Sequence, residues 1–216
     1  MSTGDKWLPK IIDELERQSI PLPAALIASL IHVESRGVPG LVNPKSGASG
    51  LTQVMPKTLD WYNQNNPPIP INTLRSPSGS TEQIRVGIWV LGRFWKSAYE
   101  HLRKRQPTIP VEQLAEIADL CYVAGPGATR ERLDLVEPAT LSALEQRFPA
   151  WNALPHPRNV FSHGPFEWDL PAISQWLESA HLSRRRAQKI GALAALIIFW
   201  FAGQWLGKLS EKRTPK

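Results

Sequence analysis

Glu34 is the residue of this chain best placed to do chemistry. It closes the apolar run Ala24-Ala25-Leu26-Ile27-Ala28-Ser29-Leu30-Ile31-His32-Val33-Glu34, and a stretch rich in Gly, Ser and Pro follows at once. Wound as an α-helix, the run sets Ile27, Ile31 and Glu34 on one face, with Leu30 one turn before the acid. The carboxyl group therefore falls on a stripe that should be buried. It also falls at a helix C-terminus, where the dipole disfavours negative charge. Both placements work against the ionised form. A carboxyl group that keeps its proton near neutral pH is what general-acid catalysis needs.

The elements that must position Glu34 can be read from periodicity and breakers. Trp7 to Ser19 predicts a helix with Leu8, Ile11, Ile12 and Leu15 on one face. Pro21 and Pro23 break it and can open the helix that ends in Glu34-Ser35-Arg36-Gly37. Asn63 to Ser80, rich in Pro, Asn and Ser, predicts a loop. Thr81 to Leu102 predicts a long helix with the stripe Ile84, Ile88, Leu91 and Trp95, capped by Ser80 or Thr81. Val111 to Tyr122 predicts another, stopped by Ala124-Gly125-Pro126-Gly127, and Thr140 to Phe148 a short one. Strand signals are weak, so the fold class is mainly α, with any sheet small and near residues 42–55.

From Pro149 to Pro171 prolines, histidines and aromatics crowd together without a period, which predicts a spacer that wraps the domain or crosses a gap. A last helix, Leu170 to Leu182, leads into a basic cluster. The expected organisation is a domain over residues 1–148, a spacer and basic helix over 149–189, an apolar segment over 190–207 and a basic tail over 208–216. The apolar segment, Ile190 to Gly207, carries no charge and would span about 27 Å as a helix, close to the thickness of a bilayer core. Basic residues flank it and Trp205 suits an interfacial anchor, so a C-terminal transmembrane helix is expected, with membrane as a partner.

The net charge of +6 belongs to that tail: from Arg184 onward eight Lys and Arg stand against Glu211 alone. The rest of the chain is near neutral, which argues against a nucleic-acid surface. Cys121 is the single cysteine, so there is no internal disulfide and no cysteine framework for a metal. His156 and His163 are too scattered for a metal set, and His32 falls off the Glu34 face, which predicts a structural role. Neither a metal nor a cofactor is expected.

Three blocks, in order, carry a resemblance. Ile31-His32-Val33-Glu34-Ser35 is followed by Gly47-Ala48-Ser49-Gly50-Leu51-Thr52-Gln53-Val54-Met55-Pro56; then come Gln83-Ile84-Arg85-Val86-Gly87-Ile88 and Tyr122-Val123-Ala124-Gly125. Over about residues 20 to 135 the chain resembles the SLT-type lytic transglycosylases, lysozyme-like enzymes that cut peptidoglycan. The second block is similar to that family's Asn-Ile-x-x-Gly helix and the third to its Tyr-Asn-Ala-Gly turn. The resemblance implies a lysozyme-like fold, with Glu34 as the single catalytic acid/base. It implies that Ser35 orients the substrate or the carboxyl group, that Gln53 and Met55 line the sugar cleft, and that Tyr122 reaches the Glu34 side. The chain departs from the family pattern at Thr52, where methionine is usual, and at Gln83 and Val123, where asparagine is usual.

Most glycosidases flank the bond with two carboxylates. Between Glu34 and Pro56 there is no second Asp or Glu; Asp60 is the next. A lone acid suits an internal reaction on peptidoglycan glycan strands. Glu34 would protonate the oxygen between N-acetylmuramic acid and N-acetylglucosamine, then take the C6 hydroxyl proton as that oxygen closes a 1,6-anhydro ring. The polar opening, Met1 to Lys10, has no signal-peptide pattern. With the apolar tail, that points to a phage virion with an internal membrane, or to a transfer apparatus, and their components as partners. Two alternatives stand: a hydrolytic lysozyme on the same scaffold, and an inactive, membrane-anchored protein that binds glycan without cutting it.

Overall fold

The computed structural model describes residues 3–106 and 108–179. Among them the architecture is mainly α, with nine α-helices up to residue 161, a further helical stretch over 170–179 and no extended sheet. Helix α1, Leu8–Gln18, carries a proline in its first turn and ends at Ser19, whose left-handed backbone turns its N–H back onto Glu16 and Leu15. Helix α2, Ala24–Ser35, starts directly after Pro23 and ends in the same way at Arg36. Helix α3, Pro56–Asn63, and helix α4, Ile71–Leu74, follow, then a 3-10 turn over Pro77–Gly79.

Helix α5, Ser80–Leu102, is the spine of the domain. Its predicted stripe of Ile84, Ile88, Leu91 and Trp95 is buried throughout. It packs most extensively on α6, Val111–Ala124, and on α1. The Gly125 turn that stops α6 also starts α7, Pro126–Leu133, because Pro126 suits a first helical turn. Helix α8, Leu141–Arg147, is capped by the Thr140 hydroxyl, which accepts the Ala143 N–H at 3.2 Å. Helix α9, Pro155–Phe161, packs on α2 and α6.

A buried ion pair fastens α1 to α5. Glu14, 3% exposed, meets Arg85 at 2.8 Å and Arg17 at 2.6 Å. Burial alone would push the Glu14 carboxyl up, but its two arginines outweigh that and hold it below its ordinary value. On the other side of α5, Val54, Leu59, Tyr62, Leu74, Val86, Val90, Phe94 and Cys121 form one cluster, with Trp89 and Tyr122 at its edge. This cluster fixes the segment that ends at Met55 between α3, α5 and α6.

One expectation is corrected: the loop expected over 63–80 contains α4 and the 3-10 turn, both too short to show a period. Strand pairing is confined to isolated bridges within 42–55, where any sheet was expected to be small: Val42 with Ser49 and Ser49 with Val54. The first compact unit continues past 148 through Trp176. Leu154, Pro157 and Val160 are all buried, so this part of the expected spacer packs on the domain. Among the described residues no helix is long and apolar enough to cross a membrane. The span expected over 190–207 and the tail over 208–216 lie outside the described residues.

Candidate active site

Glu34 occupies the last turn of α2, behind Ile27 and Ile31, which are wholly buried. Its side chain is 18% exposed, so it is only partly withdrawn from water. Its neighbour is not the apolar stripe alone. His156 of α9 places Nε2 at 3.2 Å from Glu34 Oε1, and its Nδ1 at 2.7 Å from Asp119 Oδ2 of α6. Asp119 is 4% exposed and His156 15%. Asp119, His156 and Glu34 thus stand in line, from α6, α9 and α2.

The charges of this line can be assigned. Burial pushes the His156 imidazole towards its neutral form, but the hydrogen bond to Asp119 and the Glu34 contact outweigh it and raise the ring to about 10. Burial holds the Asp119 carboxyl above its ordinary value, and the His156 hydrogen bond and charge offset only part of that. The proton of the Asp119–His156 pair belongs on the imidazole, the more strongly basic partner. His156 Nε2 is buried and its contact with Glu34 is an ion pair rather than an aligned hydrogen bond.

Tyr122 lies in the last turn of α6 and donates its hydroxyl to the Thr52 carbonyl at 2.6 Å. Burial, reinforced by the Glu34 charge, holds the phenol protonated far above its ordinary value. It is therefore a donor and a brace, not a base. The structure brings Tyr122, Asp119 and His156 to Glu34, and through Tyr122 it ties the site to the 47–55 segment. Ser35 is not brought to it: the residue is buried and its hydroxyl donates to the Ile31 carbonyl one turn back. The proton of the hydroxyl expected to orient substrate or carboxyl is thus engaged inside its own helix. Gln53 has a left-handed backbone, φ 46°, and its amide nitrogen donates to the Leu41 and Gly50 carbonyls. Its side chain shapes the loop. Met55 is 42% exposed and open to a ligand.

Two departures from the family pattern acquire a physical reason. Thr52 is buried and donates to the Gln83 carbonyl, directly against Gly87; a Cβ at Gly87 would lie 2.5 Å from the threonine side chain. Gln83 is buried too, and its Oε1 accepts the Leu51 N–H at 3.0 Å. Gly50, at φ +82°, packs so tightly on Gln83 that a Cβ would approach its Cγ at 2.7 Å. Val123, by contrast, is exposed.

Asp119 and His156 were not singled out from the sequence as site residues. Asp119 was legible by the rule that found Glu34, since it too is an acid inside an apolar helical run. His156 was not, because nothing in its Pro-rich surroundings signals a partner on α2. Among the described residues no group of three or more His, Cys, Asp or Glu is arranged to hold a metal ion.

A mainly helical domain whose buried helix delivers one acid beside a braced, glycine-bearing loop is of the lysozyme-like class. The chain belongs to the transglycosylase SLT domain family, whose model matches residues 12–137. Membership carries transglycosylase-type cleavage of peptidoglycan as the general activity and glycan strands as the substrate. No curated protein matches the chain. His156 lies beyond the matched residues.

Proposed function

We propose that this protein cleaves the bond between N-acetylmuramic acid and N-acetylglucosamine by internal attack, leaving 1,6-anhydro-muramic ends. The observation that carries this is Glu34 itself, set at the end of α2 within the family-matched residues, with no second carboxylate free beside it among the described residues. Asp119, the other acid of the site, is 4% exposed and spent on His156, so it is withdrawn from the role of activating a water. Glu34 gives its proton to the glycosidic oxygen as the bond to the muramic C1 breaks. The substrate's acetamido group steadies the cation. Glu34, now a carboxylate, takes the proton of the C6 hydroxyl while that oxygen bonds C1, and the acid is regenerated. Met55 is the exposed side chain for glycan contact, and Tyr122 fixes the loop that presents it. The expectation of a membrane, virion or transfer-apparatus setting rests on the sequence outside the described residues.

The test is digestion of purified peptidoglycan by the full chain and by Glu34→Gln, with mass spectrometry of the products. Anhydro ends from the wild type and a loss of at least about a hundredfold in the variant are expected. Reducing ends without anhydro sugars would make the protein a hydrolase, and equal digestion by both would remove Glu34 from the mechanism.

A further inference from the structure

We propose that His156 is a positioning residue for Glu34: anchored by Asp119, its Nε2 holds one oxygen of the Glu34 carboxyl group and so orients the other for proton transfer. This rests on Glu34 being the catalytic acid/base.

The geometry is specific. His156 Nδ1 is fixed at 2.7 Å from a carboxylate that is almost wholly buried, so the ring cannot swing without abandoning Asp119 in the core. That fixes Nε2 on the far edge of the ring, 3.2 Å from Glu34 Oε1. Oε2 is not part of this contact and is the oxygen left for proton transfer. Pro157 and Val160 bury the helix that carries His156, so the ring is delivered by a packed element and not by a free loop.

The charged groups facing His156 are Asp119 from α6 and Glu34 from α2. On α9 itself Arg158 is committed to Glu145 of α8 at 2.6 Å. Tyr122, the titratable neighbour of Glu34 on α6, stays neutral. His156 thus bridges Asp119 and Glu34, one ring nitrogen on each. Losing that hold on Glu34 should slow the chemical step more than it weakens glycan binding.

The experiment compares kcat and KM of peptidoglycan digestion for the full chain, His156→Gln, Asp119→Asn and Glu34→Gln. His156→Gln and Asp119→Asn are expected to lose about tenfold or more in kcat with KM little changed. A change in KM alone, or wild-type kinetics in a folded His156→Gln protein, would overturn the proposal. If Glu34→Gln digests like the wild type, the catalytic assignment fails first; if it is dead while His156→Gln keeps wild-type kinetics, only the positioning role fails. A measurement on the wild type covers variants that do not fold: by NMR the His156 ring should remain charged at about pH 8. Titration near its ordinary value of 6.5 would equally overturn the proposal.

Discussion

Gln83 accepts the Gly40 and Leu51 N–H groups on one amide oxygen and donates from its nitrogen to the Ser76 carbonyl. Three separated backbone points, including the loop that carries Gln53 and Met55, are gathered on one buried side chain. Replacing it by Leu would keep much of the volume and leave the Gly40 and Leu51 N–H groups without this acceptor, while the Ser76 carbonyl keeps only the Gly79 N–H. We expect Gln83→Leu to lower stability by about 2 to 4 kcal/mol in chemical denaturation, with a disproportionate loss of glycan binding. At this scale the sequence was informative where a residue breaks its own local pattern. Glu34 did so, as an acid on an apolar stripe. Ser35 and Gln53 carried roles implied by their neighbours in the motif, but their hydrogen bonds go to the Ile31, Leu41 and Gly50 carbonyls. A motif fixes which residues stand near the bond; it does not say which of them are spent on shaping the backbone.

The long helices were legible because each buries one stripe against the core, and α5 kept its predicted face. Short elements were not: α4 and α9 have too few turns for a period to declare itself. The α1–α5 joint gives this scale its prediction. The folded Glu14 carboxyl lies below its ordinary value of 4.5, so its contribution is fully present above that value and is lost as pH falls through the depressed folded one. Glu14→Gln should therefore cost about 2 to 3 kcal/mol at neutral pH and much less in acid. Thermal melts of both proteins across the acid range should converge; a gap that stays constant would show that the ion pair is not its source.

For the molecule as a whole, the family-matched residues end at 137 while the compact unit runs through Trp176. Helix α9 buries Val160, the preceding turn buries Leu154, and His156 comes with them. A chain cut after residue 148 should lose about 3 to 6 kcal/mol of stability in denaturant titration, and its digestion of peptidoglycan should fall with it. Wild-type activity in the cut chain would show that α9 is dispensable. Cys121 offers a way to watch this unit breathe. It is the only cysteine of the chain, it sits on α6 between Asp119 and Tyr122, and burial pushes its thiol up to about 11. A closed domain shields it from alkylating reagents, so its slow modification clocks the rare openings of the helix that anchors the site.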